Sequence, residues 1–240
     1  MIIDAHAHIF PDKIASRAAD GISSFYDIPV RFDGSVGQLL EINRKAGVDR
    51  AIVQSVATVP EQVRNINNFI SEQVRLHPEQ LIGFGALHPD FPDIAGETER
   101  IISLGLRGIK LHSDFQRFNI DDPKAFPIYE AAEGRLPILF HCGDARYDYS
   151  SPKRLYSVMK RFPKLTIIGA HLAGWTKWDE AAELFSEASS TPTSPAACTP
   201  SPRSTRRSLS GKSAQSALCS APTTPCGART TSWSASGSSR

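Results

Sequence analysis

Six of the seven histidines in this 240-residue chain stand where chemistry could be done. His6 and His8 are separated by a single residue in Asp4-Ala-His6-Ala-His8, where apolar and polar residues alternate. That alternation is the period of a strand, and it predicts that Asp4, His6 and His8 project to one side. Neutral imidazole is the commonest protein ligand for zinc and its neighbours, and a strand holds two such ligands with little freedom left to lose. The plainer reading is a polar strand face whose histidines are merely hydrogen-bonded, and the pair alone leaves both readings open. His88, His112, His141 and His171 each close an apolar run, whereas His77 sits beside Pro78 at a helix end.

The elements that must position these residues follow from hydrophobic period. After the first strand, residues 11–34 read as a long loop with a short helix around Ile14 to Ala19. Ser35 caps a predicted helix that Gly47 stops. Residues 50–56, 81–87, 106–111, 136–140 and 165–170 read as further strands. Between them lie helical patterns opening at Pro60, Ile94, Pro123, Pro152 and Trp178. Six strand-helix units, with strands apolar on both faces, indicate a parallel sheet covered by helices. In a βα barrel the active site is built where strands end, and the six histidines converge on that rim. Lys110 and His112 share one strand face and could line the pocket. In the loop after the fifth strand, Asp144 and Arg146 are candidate substrate contacts, with Arg146 able to grip a carboxylate in bidentate fashion.

The totals limit the partners. With 27 basic and 25 acidic residues, the chain shows no general attraction to nucleic acid or membrane. No apolar run approaches the ~18 residues of a membrane span, and no basic stretch leads into an apolar one at the N-terminus. Three of the four cysteines lie beyond residue 190, which leaves Cys142 alone in the patterned part and points to a reducing, cytoplasmic setting.

Taken as an ordered set, Asp4-Ala-His6-Ala-His8, His141 after Pro137-Ile-Leu-Phe140, and His171-Leu-Ala-Gly-Trp175 resemble the amidohydrolase superfamily. The branch most similar is the amidohydrolase-related one that includes aminocarboxymuconate semialdehyde decarboxylase. The resemblance spans residues 1 to about 185. It implies an α/β fold of the TIM type, a (β/α)8 barrel, with one divalent metal, usually zinc. By resemblance the metal is held by His6, His8, His141 and an aspartate from the eighth strand, with His171 as the catalytic histidine that helps activate a metal-bound water. Asp4 could orient a ligand, and Trp175 falls among the candidate substrate contacts with Lys110, His112, Asp144 and Arg146. Some branches carboxylate a fourth-strand lysine to bridge two metals. The branch resembled here generally uses one metal, so Lys110 is read as structural or substrate-contacting. The expected activity is metal-dependent hydrolysis of a small carboxylate-bearing or cyclic substrate, with non-oxidative decarboxylation as the alternative. The expected partners are a small-molecule substrate and, in a homodimer, a second copy of the chain.

Six units fall two short of a closed barrel. All acidic residues lie at or before Glu187, and residues 188–240 contain 15 serines, eight threonines, eight alanines and six prolines. Such a segment buries too little apolar surface to order itself, and disorder is expected. Read one base out of register, codons for residues 220–227 can encode Phe-Gly-Thr-Asp-Tyr-Pro-Met-Trp, which is similar to the family's eighth-strand motif. The expected organisation is therefore an incomplete barrel over residues 1–187 and an out-of-frame or disordered tail over 188–240. A third functional expectation follows, an inactive fragment that lacks the eighth-strand aspartate.

Overall fold

The computed structural model of the chain describes residues 1–188. The tail, with the disorder and shifted frame expected for it, lies outside the described residues.

Strand β1 (Ile3–His8) pairs with β2 (Arg50–Gln54), and β2 pairs with β3 (Leu81–Gly83). A second ladder joins β4 (Gly85–Ala86), β5 (Ile109–Leu111), β6 (Ile138–Phe140) and β7 (Ile167–Gly169) in chain order. All these pairs are parallel. The expected third strand, 81–87, is thus broken at Phe84. Its backbone still ties the two ladders together: Phe84 N–H donates to the Val53 carbonyl, and Gly85 N–H to Gly108. The break has a packing cause, since the Phe84 ring lies flat on Gly108, where a Cβ would meet ring carbons 2.5–2.7 Å away.

Helices α1 (Asp12–Tyr26), α2 (Val36–Ala46), α3 (Val63–Leu76), α4 (Ile94–Ser103), α5 (Ser113–Gln116), α6 (Phe126–Ala132), α7 (Pro152–Arg161) and α8 (Trp178–Ala188) fill the connections. Parallel strands need such crossovers, and here they lay apolar stripes over one face of the sheet. Ala51, Val53, Ile109, Leu111, Ile138, Phe140 and Ile167 belong to this buried layer. The alternate residues, Ile52, Ile82, Phe84, Leu139 and Ile168, form a smaller cluster on the opposite, concave face. α2 matches its sequence signals: the Ser35 side chain accepts from Gln38 N–H, and Gly47 ends the helix at φ 68°. α1 is far longer than the expected turn of helix, running on to Tyr26, where Asp27 at φ 53° stops it. No helix among the described residues is long and apolar enough to cross a membrane.

Candidate functional site

The concave face ends in histidines because strand residues two apart share a face. On β5, Lys110 is followed by His112; on β6, Leu139 is followed by His141. β1 departs from strict alternation. Asp4 pairs with Ala51 and His8 with Gln54, so one extra residue is accommodated on β1. Ala51 and Gln54 are three apart and lie on opposite faces of β2, which corrects the expectation that Asp4 shares a face with both histidines. Asp4 instead accepts the His6 backbone N–H at 3.0 Å, fixing the main chain of the bulge and not an imidazole.

Five imidazoles follow one another in an arc. Ring centroids are 5.1 Å apart from His8 to His6, 5.1 Å from His6 to His171, 4.9 Å from His171 to His141 and 4.0 Å from His141 to His112, the last two rings being stacked. At one end His6 Nε2 and His8 Nε2 are 3.2 Å apart. Two nitrogens bound to one tetrahedral zinc at ~2.0–2.1 Å lie ~3.3 Å from each other, so this separation fits a shared ion. At the other end, His112, His141 and Asp114 bring ligand atoms within 4.8 Å of one another, a group that could also hold a metal ion. Asp114 is buried; its Oδ2 accepts from Ser150 at 2.7 Å and lies 3.6 Å from His141 Nε2, while Oδ1 has no hydrogen-bond partner. The donor set, imidazoles with a carboxylate, suits a divalent ion of the zinc type.

The electrostatics keep these ligands ready. Burial above all pushes the imidazoles down, those of His8 and His171 to about 3, with the Lys110 charge adding to the effect. His6, His112 and His141 are lowered for the same first reason. Metal ligation requires neutral imidazole, so no proton has to be displaced at neutral pH. Burial raises the Asp114 carboxyl to about 6 and lowers the Lys110 amine to about 7. Lys110 Nζ lies 3.4 Å from His6 Nε2, placing an amine against the β1 pair.

Around the arc stand groups that the sequence reading missed. Tyr26, at the end of α1, places its hydroxyl 2.8 Å from His112 Nε2 and 3.3 Å from His141 Nε2. It went unseen because its segment reads as loop. Asp114 carried no signal beyond its place just after a strand. Gln116 fixes that corner, donating to the Ala57 and Leu87 carbonyls and accepting from His112 N–H. Trp175 packs 4.9 Å from His171 and 5.7 Å from Tyr26, centroid to centroid. His171, Leu172 and Ala173 all adopt left-handed backbone, φ 56–58°, which is strained for residues with a Cβ and aims the imidazole into the arc. Arg146 does make a bidentate grip, but on Asp144, at 3.0 and 2.7 Å, under the rings of Phe25, Tyr26 and Tyr147. Arg146 also donates to the Phe25 carbonyl, so the pair ties the loop after β6 to α1. His88 stands apart from the arc, its Nδ1 accepting from Asp90 N–H.

These strand-end histidines on a parallel βα sheet define a metal-dependent βα-barrel enzyme class, and the sequence profile of the amidohydrolase family matches residues 3–205. The chain belongs to the amidohydrolase family. A curated relative, the 2-amino-3-carboxymuconate-6-semialdehyde decarboxylase of Dictyostelium discoideum, is 30% identical over 111 residues, 40% of this chain and 30% of that protein. The match thus spans under a third of the relative's length. Among solved structures, a 5-carboxyvanillate decarboxylase of Sphingomonas paucimobilis superposes with a TM-score of 0.58 at 18% identity, covering 82% of this chain and 76% of the other. That of Novosphingobium aromaticivorans, complexed with manganese and 4-hydroxy-3-methoxy-5-nitrobenzoic acid, gives 0.57 at 15%, covering 83% and 74%. The 4-oxalomesaconate hydratase of Rhodopseudomonas palustris gives 0.53 at 21%, covering 77% and 69%. At these identities the solved structures establish the fold, a TIM-type barrel of which the described residues supply six strand-helix units.

Proposed function

We propose that this chain carries the metal-binding half of a non-oxidative decarboxylase acting on a small aromatic or muconate-type acid. The observation that carries the reading is the arc of imidazoles whose His6 and His8 nitrogens stand at the separation of two ligands on one ion. His6, His8 and His141 would hold a divalent metal, and the nitrogen-rich donors favour zinc over manganese. When bound, such an ion supplies positive charge that polarises a substrate oxygen. The chain's own residues do the rest. The carbon-carbon bond to the carboxyl group breaks, carbon dioxide leaves with its oxygens, and the electron pair left on carbon takes up one proton. Lys110 would hold the acid beside the β1 pair and, half protonated near pH 7, would supply that proton, which neutral His171, between His6 and His141, could accept and pass on. Trp175 and Tyr26 wall the space with aromatic surface that excludes water. The names of the relatives move decarboxylation ahead of the hydrolysis expected from sequence. Hydrolysis is the second reading, favoured by the family profile and by a neutral His171 able to take a proton from water.

The test is a screen of zinc- or manganese-loaded protein against aromatic and muconate-type acids for carbon dioxide release, with lactones and amides for hydrolysis. His8→Ala should lose at least ~10-fold in metal affinity and all turnover. Unchanged metal content in a His6→Ala/His8→Ala protein would refute the ligand assignment. Acid-free hydrolysis of lactones alone would select the second reading, and metal uptake with neither activity the inactive fragment.

A further inference from the structure

Gln54 ends β2 with its side chain fully buried and with neither amide atom hydrogen-bonded among the described residues. A side-chain amide offers two donors and two acceptor positions, and leaving them unmade inside a protein is costly enough to call for an explanation. The register supplies one. Gln54 stands directly beside His8, and side-by-side residues of a parallel pair point to the same face. Two residues earlier, Ile52 packs into the concave cluster with Phe84 and Leu139, so Gln54 faces the concave side at the level of the histidines. Lys110 is also buried and forms no ion pair among the described residues; its amine lies 3.4 Å from His6 Nε2, and its charge acts on His8, the residue beside Gln54. Near the two β1 histidines, therefore, lie an amide with no hydrogen bond and an amine with no ion-pair partner among the described residues.

We propose that Gln54 and Lys110 form a carboxylate-binding subsite beside His8, the Lys110 amine donating to one oxygen and the Gln54 amide nitrogen to the other. The proposal rests on the decarboxylase reading for its choice of an acid as ligand, but not on the metal. A charged oxygen satisfies both donors at once, which a neutral ligand or a water cannot do as well, because hydrogen bonds to ionised groups are the stronger ones. Gln54 thereby becomes a residue that selects acids over their uncharged analogues.

The probe is benzoate, titrated by calorimetry into the full-length protein, metal-free and zinc-loaded, with benzyl alcohol as the uncharged comparison. Gln54→Leu should weaken benzoate about 10-fold, leave benzyl alcohol unchanged, and melt no lower than wild type, since no internal hydrogen bond is lost. Gln54→Glu keeps the shape but offers only acceptors, and should weaken benzoate further. Lys110→Met should do the same as Gln54→Leu. Equal benzoate affinity in wild type and the Gln54 variants, as a merely water-filled niche would give, overturns the proposal, as does wild type that binds no benzoate. A lower melting temperature in Gln54→Leu with benzoate affinity unmoved also overturns it, because the amide would then serve the fold. Benzoate selectivity retained on protein that takes up no zinc would support the subsite while refuting the metal-enzyme reading.

Discussion

Burying Lys110 should make the metal-free protein gain stability as the solution turns alkaline. The side chain is 1% exposed, and burial lowers its pKa from 10.5 to about 7. An unfolded lysine stays protonated to about pH 10.4. Between those values the unfolded state binds more protons than the native one, and stability therefore rises with pH. The full difference amounts to at most ~5 kcal/mol, at about 1.36 kcal/mol for each factor of ten. Over the window from about pH 7 to 8.5 the gain should be ~1.6 kcal/mol, since the native amine goes from half to almost fully neutral while the unfolded one remains charged. Two other kinds of group titrate within that window. An unfolded imidazole is still about a quarter protonated at pH 7, so the five histidines of the arc, lowered by burial, add a gain of roughly 0.8 kcal/mol of their own by pH 8.5. The Cys142 thiol, raised by burial, acts in the opposite sense and takes back roughly 0.4 kcal/mol by pH 8.5, where an unfolded thiol is half ionised. Urea unfolding of wild type and Lys110→Met at several pH values measures the effect. Methionine fills similar space without charge, so the variant should be the more stable at pH 7 and keep only the residual gain of roughly 0.4 kcal/mol from the histidines and the thiol across the window. A slope in Lys110→Met as steep as that of wild type, or none in wild type, would refute the claim that a buried amine without an ion-pair partner sits in the barrel.

Two further substitutions probe the framework around the site. Gly143 adopts φ 90°, and a Cβ there would come within 2.5–2.6 Å of the Gly174 backbone; Gly143→Ala should cost about 3 kcal/mol from combined overpacking and left-handed strain, read by urea unfolding, with a shift in tryptophan emission as Trp175 is pushed aside. Tyr129 is fully buried and its hydroxyl donates to the Ile120 carbonyl at 2.6 Å; Tyr129→Phe should cost ~1–2 kcal/mol and leave metal binding unchanged, as equilibrium melts and a zinc titration would report.

The strands of the fold were legible because their residues say the same thing at several levels. Leu136 to Phe140 is an apolar run closed by histidine, and the structure buries Ile138, Leu139 and Phe140 alike. Helix α2 announced both ends, Ser35 and Gly47. What escaped was set by tertiary contact. α1 has no side-chain cap at Pro11 and carries Gly21 in its middle, so its pattern reads as loop, yet it delivers Tyr26 to the histidines. The break at Phe84 depends on Gly108, 24 positions later, lacking a Cβ. His171 was legible as a residue at a strand end, but not its left-handed backbone, which nothing in His-Leu-Ala favours. Arg146 showed the bidentate chemistry expected of it, but its pairing with Asp144, two residues away in the same loop, was not read from the sequence. The alternation Asp4, His6, His8 was misread by one residue, because a bulge leaves no mark in a two-residue period.

The arc of imidazoles has a mechanical side as well. Its two ends belong to the first strand and to the segment after β5, while the sheet between them is broken at Phe84. An ion shared by His8 and His141 would close a loop of about 130 residues (141 − 8) across that break, acting on the unfolded chain much as a cross-link does. The same atoms that prepare the chemistry would then also be a clasp, holding an edge strand with exposed Ile2 and Ile3 against the rest of the sheet. Losing the metal would loosen the N-terminal strand before it touched the helices, so that catalytic competence and the integrity of the sheet's edge would rise and fall together.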